Sequence, residues 1–258
     1  LGKGLDIYSG GARHNHSACW IAGLATAVDS LVAVKRVVYE EGKLTVRELA
    51  DLLASDFESA EDLRQLLLRG APKLGNDEAE VDELARELCD LFCDELATRR
   101  NARGGRIKPS LAMYQQHFMG LQMPATPDGR RAGAALSAGI APTQGCNERG
   151  VTATLASCAK LPHHRAANGN FLILSMSPEH IGGDEGLERL VQLIVTYFAQ
   201  GGSHLMVNVV DADTLRDAQA HPERHRDLMV RISGLSAYFV TLDKDTQENI
   251  IERTEKGL

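Results

Sequence analysis

Two histidines four residues apart in HPERHR, His221 and His225, have the spacing at which one helix face can chelate a metal ion. The segment is polar all round, however, and reads more simply as a solvated face. Cys89 and Cys93 are also four apart on a helical pattern; with no second His or Cys pair at ligand spacing, they read as core packing. His14 and His16 alternate as residues on one strand face do, and His163 and His164 are adjacent in a loop. None has a carboxylate or cysteine partner at metal spacing, so no metal site is expected. The glycine-rich ATPDGRRAG offers Arg130, Arg131 and backbone N–H groups to an anion. No strand and helix frame it closely, and a loop tied internally by Asp128 and Arg130 accounts for it equally well. The last candidate is a glycine. MVRISGLSAYFV, residues 229–240, is strand-like on both sides of Gly234. A glycine there costs conformational entropy and a packing contact, and ordinarily marks a bulge, a turn or a close backbone approach.

Several chemistries lack their motifs. The chain contains no GxxxxGK[ST], GxSxG, HExxH or strand-associated GxGxxG, so nucleotide, serine-hydrolase and zinc-protease readings have no local support. With 28 basic against 35 acidic residues, a net charge of −7 and no basic block, the chain does not read as a nucleic-acid binder. No apolar run approaches a membrane span, and LGKGLDIYSGG has neither the charged end nor the apolar stretch of a signal peptide, so a cytoplasmic setting is expected. Five cysteines without a CxxC pair fit a reducing compartment. The opening lacks an initiator methionine and starts in glycine-rich loop chemistry, which suggests a fragment or a processed piece.

The elements that must position these residues follow from periodicity. At 258 residues and 43% hydrophobic, the chain can bury a substantial core. Residues 23–41 read as a half-buried helix with Leu24, Val28, Leu31, Val34, Lys35 and Val38 on one stripe. Thr45 and Glu48 form a capping-box pattern ahead of a second helix, and AEDLRQLLLR makes a third. A long helix is expected from Glu78 to about Arg100, apolar at Val81, Leu84, Leu88, Leu91 and Phe92. Residues 123–157 are dense in glycine and proline and read as one long irregular segment, of a length that is usually functional or disordered. Then come a strand at 171–176, a helix at 185–199, a strand in SHLMVNVVD, helices at 212–220 and after Pro222, the glycine segment, and a helix at 244–256. Strands alternating with helices predict an α/β fold with parallel strands.

Five stretches in order carry a resemblance: VDSLVAVKRVVYEE, APKLGNDEAEVD, ATPDGRRAG with SAGIAPTQG, YFAQGGSHLMVNVVDADTLRDAQAHPE, and the tail RISGLSAYFVTLDKDTQENIIERT. Together they resemble the C-terminal portion of a glycyl radical enzyme of the pyruvate formate-lyase and glycerol (diol) dehydratase family, over nearly the whole chain. The wording of the first and third stretches is similar to the dehydratase-like branch. Leu235, Met206 and Val151 depart from the residues common at those positions, which bears on the subfamily more than on the glycine.

The resemblance implies an α/β fold, the C-terminal part of a ten-stranded barrel with surrounding helices, divided into a barrel portion at 1–125 and a glycine radical domain at 126–258. It implies that Gly234 carries a radical on a buried loop supported by Arg231, Ser233 and Ser236. A glycine suits that role, because loss of a Cα hydrogen leaves a planar centre that a side chain would crowd. The resemblance further implies an enzyme that cleaves C–C or C–O bonds of a small-molecule substrate through a thiyl radical. The thiyl cysteine is expected outside this chain, since none of the five cysteines, Cys19 and Cys146 included, lies in a Gly-Cys-x-Glu context. No bound cofactor is expected beyond the backbone radical, installed by a partner S-adenosylmethionine-dependent iron-sulfur enzyme; a homodimer is expected, with no nucleic acid and no membrane. A stand-alone radical-bearing spare part and an inactive fragment are the alternatives. SLAMYQQHF, with Met113 and Tyr114, reads either as cavity wall or as helix packing.

Overall fold

A computed structural model describes residues 2–113, 115–232 and 235–255. Its elements run β1 (Ser17–Trp20), α1 (Leu24–Ala33), a π-helical stretch (Val34–Glu40), α2 (Val46–Ala54), α3 (Glu61–Arg69), α4 (Ala79–Thr98), β2 (Ile107–Ser110), α5 (Gln116–Leu121), α6 (Gly150–Ala159), β3 (Ile173–Met176), α7 (Pro178–Ile181), α8 (Gly183–Ala199), β4 (Met206–Val209), α9 (Ala212–Ala220), β5 (Met229–Ile232), β6 (Leu235–Tyr238) and α10 (Lys244–Glu255). Helices and strands are mixed. Parallel pairing joins β1 to β2, with Ser17 opposite Ile107, and β3 to β4, with Ile173 opposite Met206. A parallel bridge from Leu111 to Asn170 carries the order on from the end of β2 to the approach of β3. Helical crossovers separate the partners of each pair, as parallel pairing requires. β5 and β6 pair antiparallel.

Local chemistry explains several element ends. Thr45 Oγ1 accepts from Glu48 N–H at 3.2 Å while the Glu48 carboxylate accepts from Thr45 N–H at 2.7 Å, which is the expected capping box at the start of α2. Asp211 caps α9 by accepting from Thr214 N–H at 2.7 Å. Two glycines are required by close approach. A Cβ at Gly75, which has φ of +96°, would overlap the Pro142 ring, and one at Gly202 would overlap the Tyr197 ring.

The structure corrects four sequence expectations. The helix expected over 23–41 changes to π geometry after Ala33, so the next buried valine, Val37, comes five residues after Val32; within α1 itself Leu24, Val28 and Val32 make the buried face and Leu31 is 49% exposed. On α4 the buried stripe is Val81, Ala85, Cys89, Cys93 and Leu96; Leu84, Leu88 and Phe92 flank it and Leu91 is exposed. Small side chains on that stripe let α4 pack closely against α1. The irregular segment expected over 123–157 ends in α6, because GVTATLASCA buries Leu155, Cys158 and Ala159 against the core. His14 and His16 precede β1 rather than lying on a strand.

One large apolar cluster draws on α1, α4, α6 and α8 and includes Leu24, Val28, Leu74, Ala85, Leu172 and Tyr197. A separate cluster holds the last quarter of the chain: Leu215 and Ala218 of α9, Val230 of β5, Phe239, and Ile250 and Ile251 of α10. Buried polar groups tie the loops to the first cluster. Asp29 on α1 is fully buried; one carboxylate oxygen accepts from Leu74 N–H at 2.8 Å and the other from the Thr143 hydroxyl at 3.0 Å. Desolvation pushes its carboxyl up to about 7, opposed by the nearby Lys73 ammonium, which donates to the carbonyls of Leu67 and Asp128.

Candidate functional site

The segment around the candidate glycine is a hairpin. Ile232 pairs with Leu235 and Arg231 with Ser236, so β5 and β6 face each other across positions 233 and 234. Ser233 and Gly234 lie outside the described residues, as does Tyr114. The flanks are largely exposed in this chain: Leu235 at 74%, Met229 at 59% and Tyr238 at 50%. Arg231 and Ser236 are on facing strands, and the Arg231 guanidinium donates to Ser236 Oγ at 3.1 Å. Val230 turns inward to the C-terminal cluster, and Phe239 follows β6 into it, its N–H donating to Leu228 O at 2.8 Å. Gln247 of α10 donates to Phe239 O at 3.0 Å. Apolar burial on one face thus anchors a hairpin whose other face carries the polar pair.

A residue that the sequence reading passed over ties this hairpin to the parallel strands. Asn208 of β4, 9% exposed, accepts from Arg231 N–H at 3.0 Å through Oδ1 and donates to Arg231 O at 3.3 Å through Nδ2. The available signal was alternation: in MVNV, residues 206–209, Met206 and Asn208 are the buried positions, and a polar residue on the buried face of a strand needs partners.

The other sequence candidates separate into structural roles. In ATPDGRRAG, Thr126 Oγ1 donates to Asp128 at 2.5 Å, and the buried Arg130 guanidinium donates to the carbonyls of Pro124 at 2.5 Å and Ala134 at 2.6 Å. Arg131 reaches instead to Asp56 O and the Glu61 carboxylate. The loop is therefore tied by its own side chains. A cleft of about 520 Å3 lies between it and α10, lined on one side by Arg64, His117 and Arg131 and on the other by Asp245 and Glu248. His221 and His225 both approach one carboxylate, that of Asp217, at 3.0 and 2.6 Å. That clip closes the turn after α9, and among the described residues no group of three or more His, Cys, Asp or Glu could hold a metal ion. His163 Nε2 lies 2.7 Å from Cys158 O, an acceptor, so Nε2 carries the proton; burial lowers its pKa. Its Nδ1 faces Ser203 Oγ at 3.3 Å. His163 is thus a neutral packing histidine.

All five cysteines are free. Cys89, Cys93, Cys146 and Cys158 are buried and held as thiols, desolvation pushing Cys89 up to about 12 and Cys146 to about 11. Cys93 and Cys158 are raised for the same reason, and the Cys158 thiol donates to Ile140 O at 3.2 Å. Cys19 is half-buried in β1, opposite Pro109.

The family comparisons coincide with this arrangement. Residues 1–119 match the family model of pyruvate formate lyase-like proteins, and residues 136–240, which include the hairpin, match that of the glycine radical. The chain belongs to the glycyl radical enzyme family. It is 37% identical to a probable dehydratase, YbiW, of Escherichia coli K12, aligned over 99% of this chain and 33% of that protein. It is 34% identical to trans-4-hydroxy-L-proline dehydratase of Clostridioides difficile, over 98% of this chain and 32% of that protein. The structure superimposes on the glycerol-bound B12-independent glycerol dehydratase of Clostridium butyricum with a TM-score of 0.92 and 43% identity, covering 98% of this chain and 32% of that one. The chain spans about a third of the length of the relatives it matches. No helix among the described residues is long and apolar enough to cross a membrane.

Proposed function

We propose that this chain supplies the radical-storing part of a glycyl radical dehydratase or lyase, with the radical on Gly234. The match of residues 136–240 to the glycine radical model, with Gly234 between two paired strands, carries this reading. In the proposed mechanism, loss of the Gly234 Cα hydrogen gives a planar radical shared between the flanking amides, which only a residue without a side chain accommodates freely. Arg231, Ser233 and Ser236 support the loop, the Arg231–Ser236 bond bridging its two strands. The stored radical takes a hydrogen atom from a cysteine thiol elsewhere in the longer protein, and the resulting thiyl takes one from a small substrate, whose C–O or C–C bond then breaks. The dehydratases among the relatives favour C–O cleavage. The four buried cysteines are packed within this chain, which supports a thiyl cysteine outside it.

The same proposal extends to the architecture and partners of the longer protein. The pairs β1–β2 and β3–β4, with the bridge between them, form an arc of parallel strands that fits part of a ten-stranded barrel. Residues 1–125 belong to that barrel and 126–258 to the radical domain. An S-adenosylmethionine-dependent iron-sulfur enzyme installs the radical, and the longer protein works as a cytoplasmic homodimer. The match over residues 1–119 favours part of a full enzyme over a stand-alone spare part.

Anaerobic activation of the longer protein should give a glycyl doublet in electron paramagnetic resonance, abolished by Gly234→Ala. Air should then cut the activated chain at Gly234 and release a short C-terminal peptide. A doublet that survives Gly234→Ala refutes the assignment.

A further inference from the structure

Arg231 lies three residues before Gly234, and both of its main-chain polar groups are taken by one side chain, that of Asn208. A primary amide that accepts from an N–H and donates to the carbonyl of the same residue reproduces the paired exchange of an antiparallel ladder. Asn208 thereby attaches the hairpin edge to β4 where no strand ladder joins them. The Asn208 side of both bonds is buried although Arg231 is exposed, which limits the competition from water. The hairpin's second anchor is apolar, Val230 and Phe239 in the C-terminal cluster, and that cluster is distinct from the one beneath the parallel strands. β4 in turn is in register with β3, Asn208 standing opposite Ser175. The amide is therefore a direct polar link from the parallel arc to the strand that leads into Gly234.

We propose that Asn208 is a positioning residue: it sets where the hairpin stands relative to the parallel strands and so aligns Gly234 for hydrogen-atom transfer. This rests on Gly234 being the radical position. Transfer between two centres is steeply sensitive to their separation, and a misplacement of about 1 Å can cost about 100-fold in rate. A tether on the main chain of Arg231 controls that separation without touching the reacting atoms.

Two measurements test it. The first, on the longer protein before activation, does not depend on the radical. Asn208→Leu keeps the branching at Cγ, in a larger side chain, and loses both bonds; Asn208→Asp keeps the acceptor for Arg231 N–H and loses the donor to Arg231 O. Amide hydrogen exchange at Arg231 should rise about 10-fold in the Leu variant, the scale of one lost hydrogen bond. It should rise less in the Asp variant, while α9 and α10 stay as in the parent chain. Unchanged exchange at Arg231, or a rise shared by all elements, overturns the tether. The second uses the activated longer protein. The Leu variant should form the glycyl doublet yet turn over at least about 10-fold more slowly per radical, with KM unchanged. Parental turnover per radical overturns the positioning role. A parent protein that forms no doublet refutes the assignment of Gly234 instead, and the exchange result still decides whether the tether exists.

Discussion

Replacing Asp29 by asparagine should make the protein less sensitive to alkaline conditions. Asp29 is fully buried, and desolvation outweighs both the Lys73 charge and the bonds its two oxygens accept from Leu74 N–H and the Thr143 hydroxyl, so its carboxyl titrates near 7 against an ordinary 3.8. The folded state therefore holds a proton that the unfolded chain has released across that interval, and stability falls as pH rises from about 4 to about 7. At about 1.36 kcal/mol per pH unit, the loss approaches about 4 kcal/mol above pH 7. The uncharged amide of the Asp29→Asn variant has no such loss. Its carbonyl oxygen can accept from Leu74 N–H and its NH2 group can donate to Thr143 Oγ1, so the two proteins should be close in stability below about pH 4, with the variant already ahead by about 1.6 kcal/mol at pH 5. At pH 8 the variant should be more stable by up to about 4 kcal/mol. Urea denaturation followed by circular dichroism at pH 5 and pH 8 measures the difference. An Asp29→Asn effect that is the same at both pH values, or that destabilises at pH 8, refutes the argument; the Lys73 ammonium would then be stabilising the ionised carboxylate more than burial penalises it.

Further expectations concern the loops and thiols. Arg130→Met should cost about 2–3 kcal/mol in chemical denaturation, because the carbonyls of Pro124 and Ala134 lose their donor inside the ATPDGR loop; a neutral effect would remove that loop's internal tie. Thr45→Ala should lower stability by about 1 kcal/mol, read from the urea midpoint, through loss of the α2 cap. Under native conditions a thiol reagent should modify Cys19 first and the four buried cysteines slowly, with all five reacting at once in denaturant; rapid native reaction of Cys146 would contradict its burial.

Much of this molecule is determined within short windows of sequence, and those parts were legible there. The Thr45–Glu48 capping box, the helices near 61–69, 79–98 and 212–220, and the strands around 173 and 206 follow from patterns a few residues long. The family assignment followed from five ordered stretches, and the role proposed for Gly234 rests on that resemblance, because its local pattern alone reads as a bulge or turn. Those signals are local because a cap or a turn is made by neighbours in the chain.

What the sequence left open depends on which residues meet across distance. The burial of Val37 five residues after Val32 follows from π geometry packed against the core, Leu31 faces solvent because Leu24, Val28 and Val32 form the buried face of α1, and Leu91 is exposed because α4 packs through its small residues. Asp29 titrates near 7 because α1, the loop at Leu74 and the loop at Thr143 close around it. Asn208 looks like a weak strand residue until folding brings it against Arg231, twenty-three positions later. A residue's propensity is written in its own covalent structure, whereas its burial, its ionisation and its hydrogen-bond partner are properties of the space around it, and tertiary structure alone creates that space.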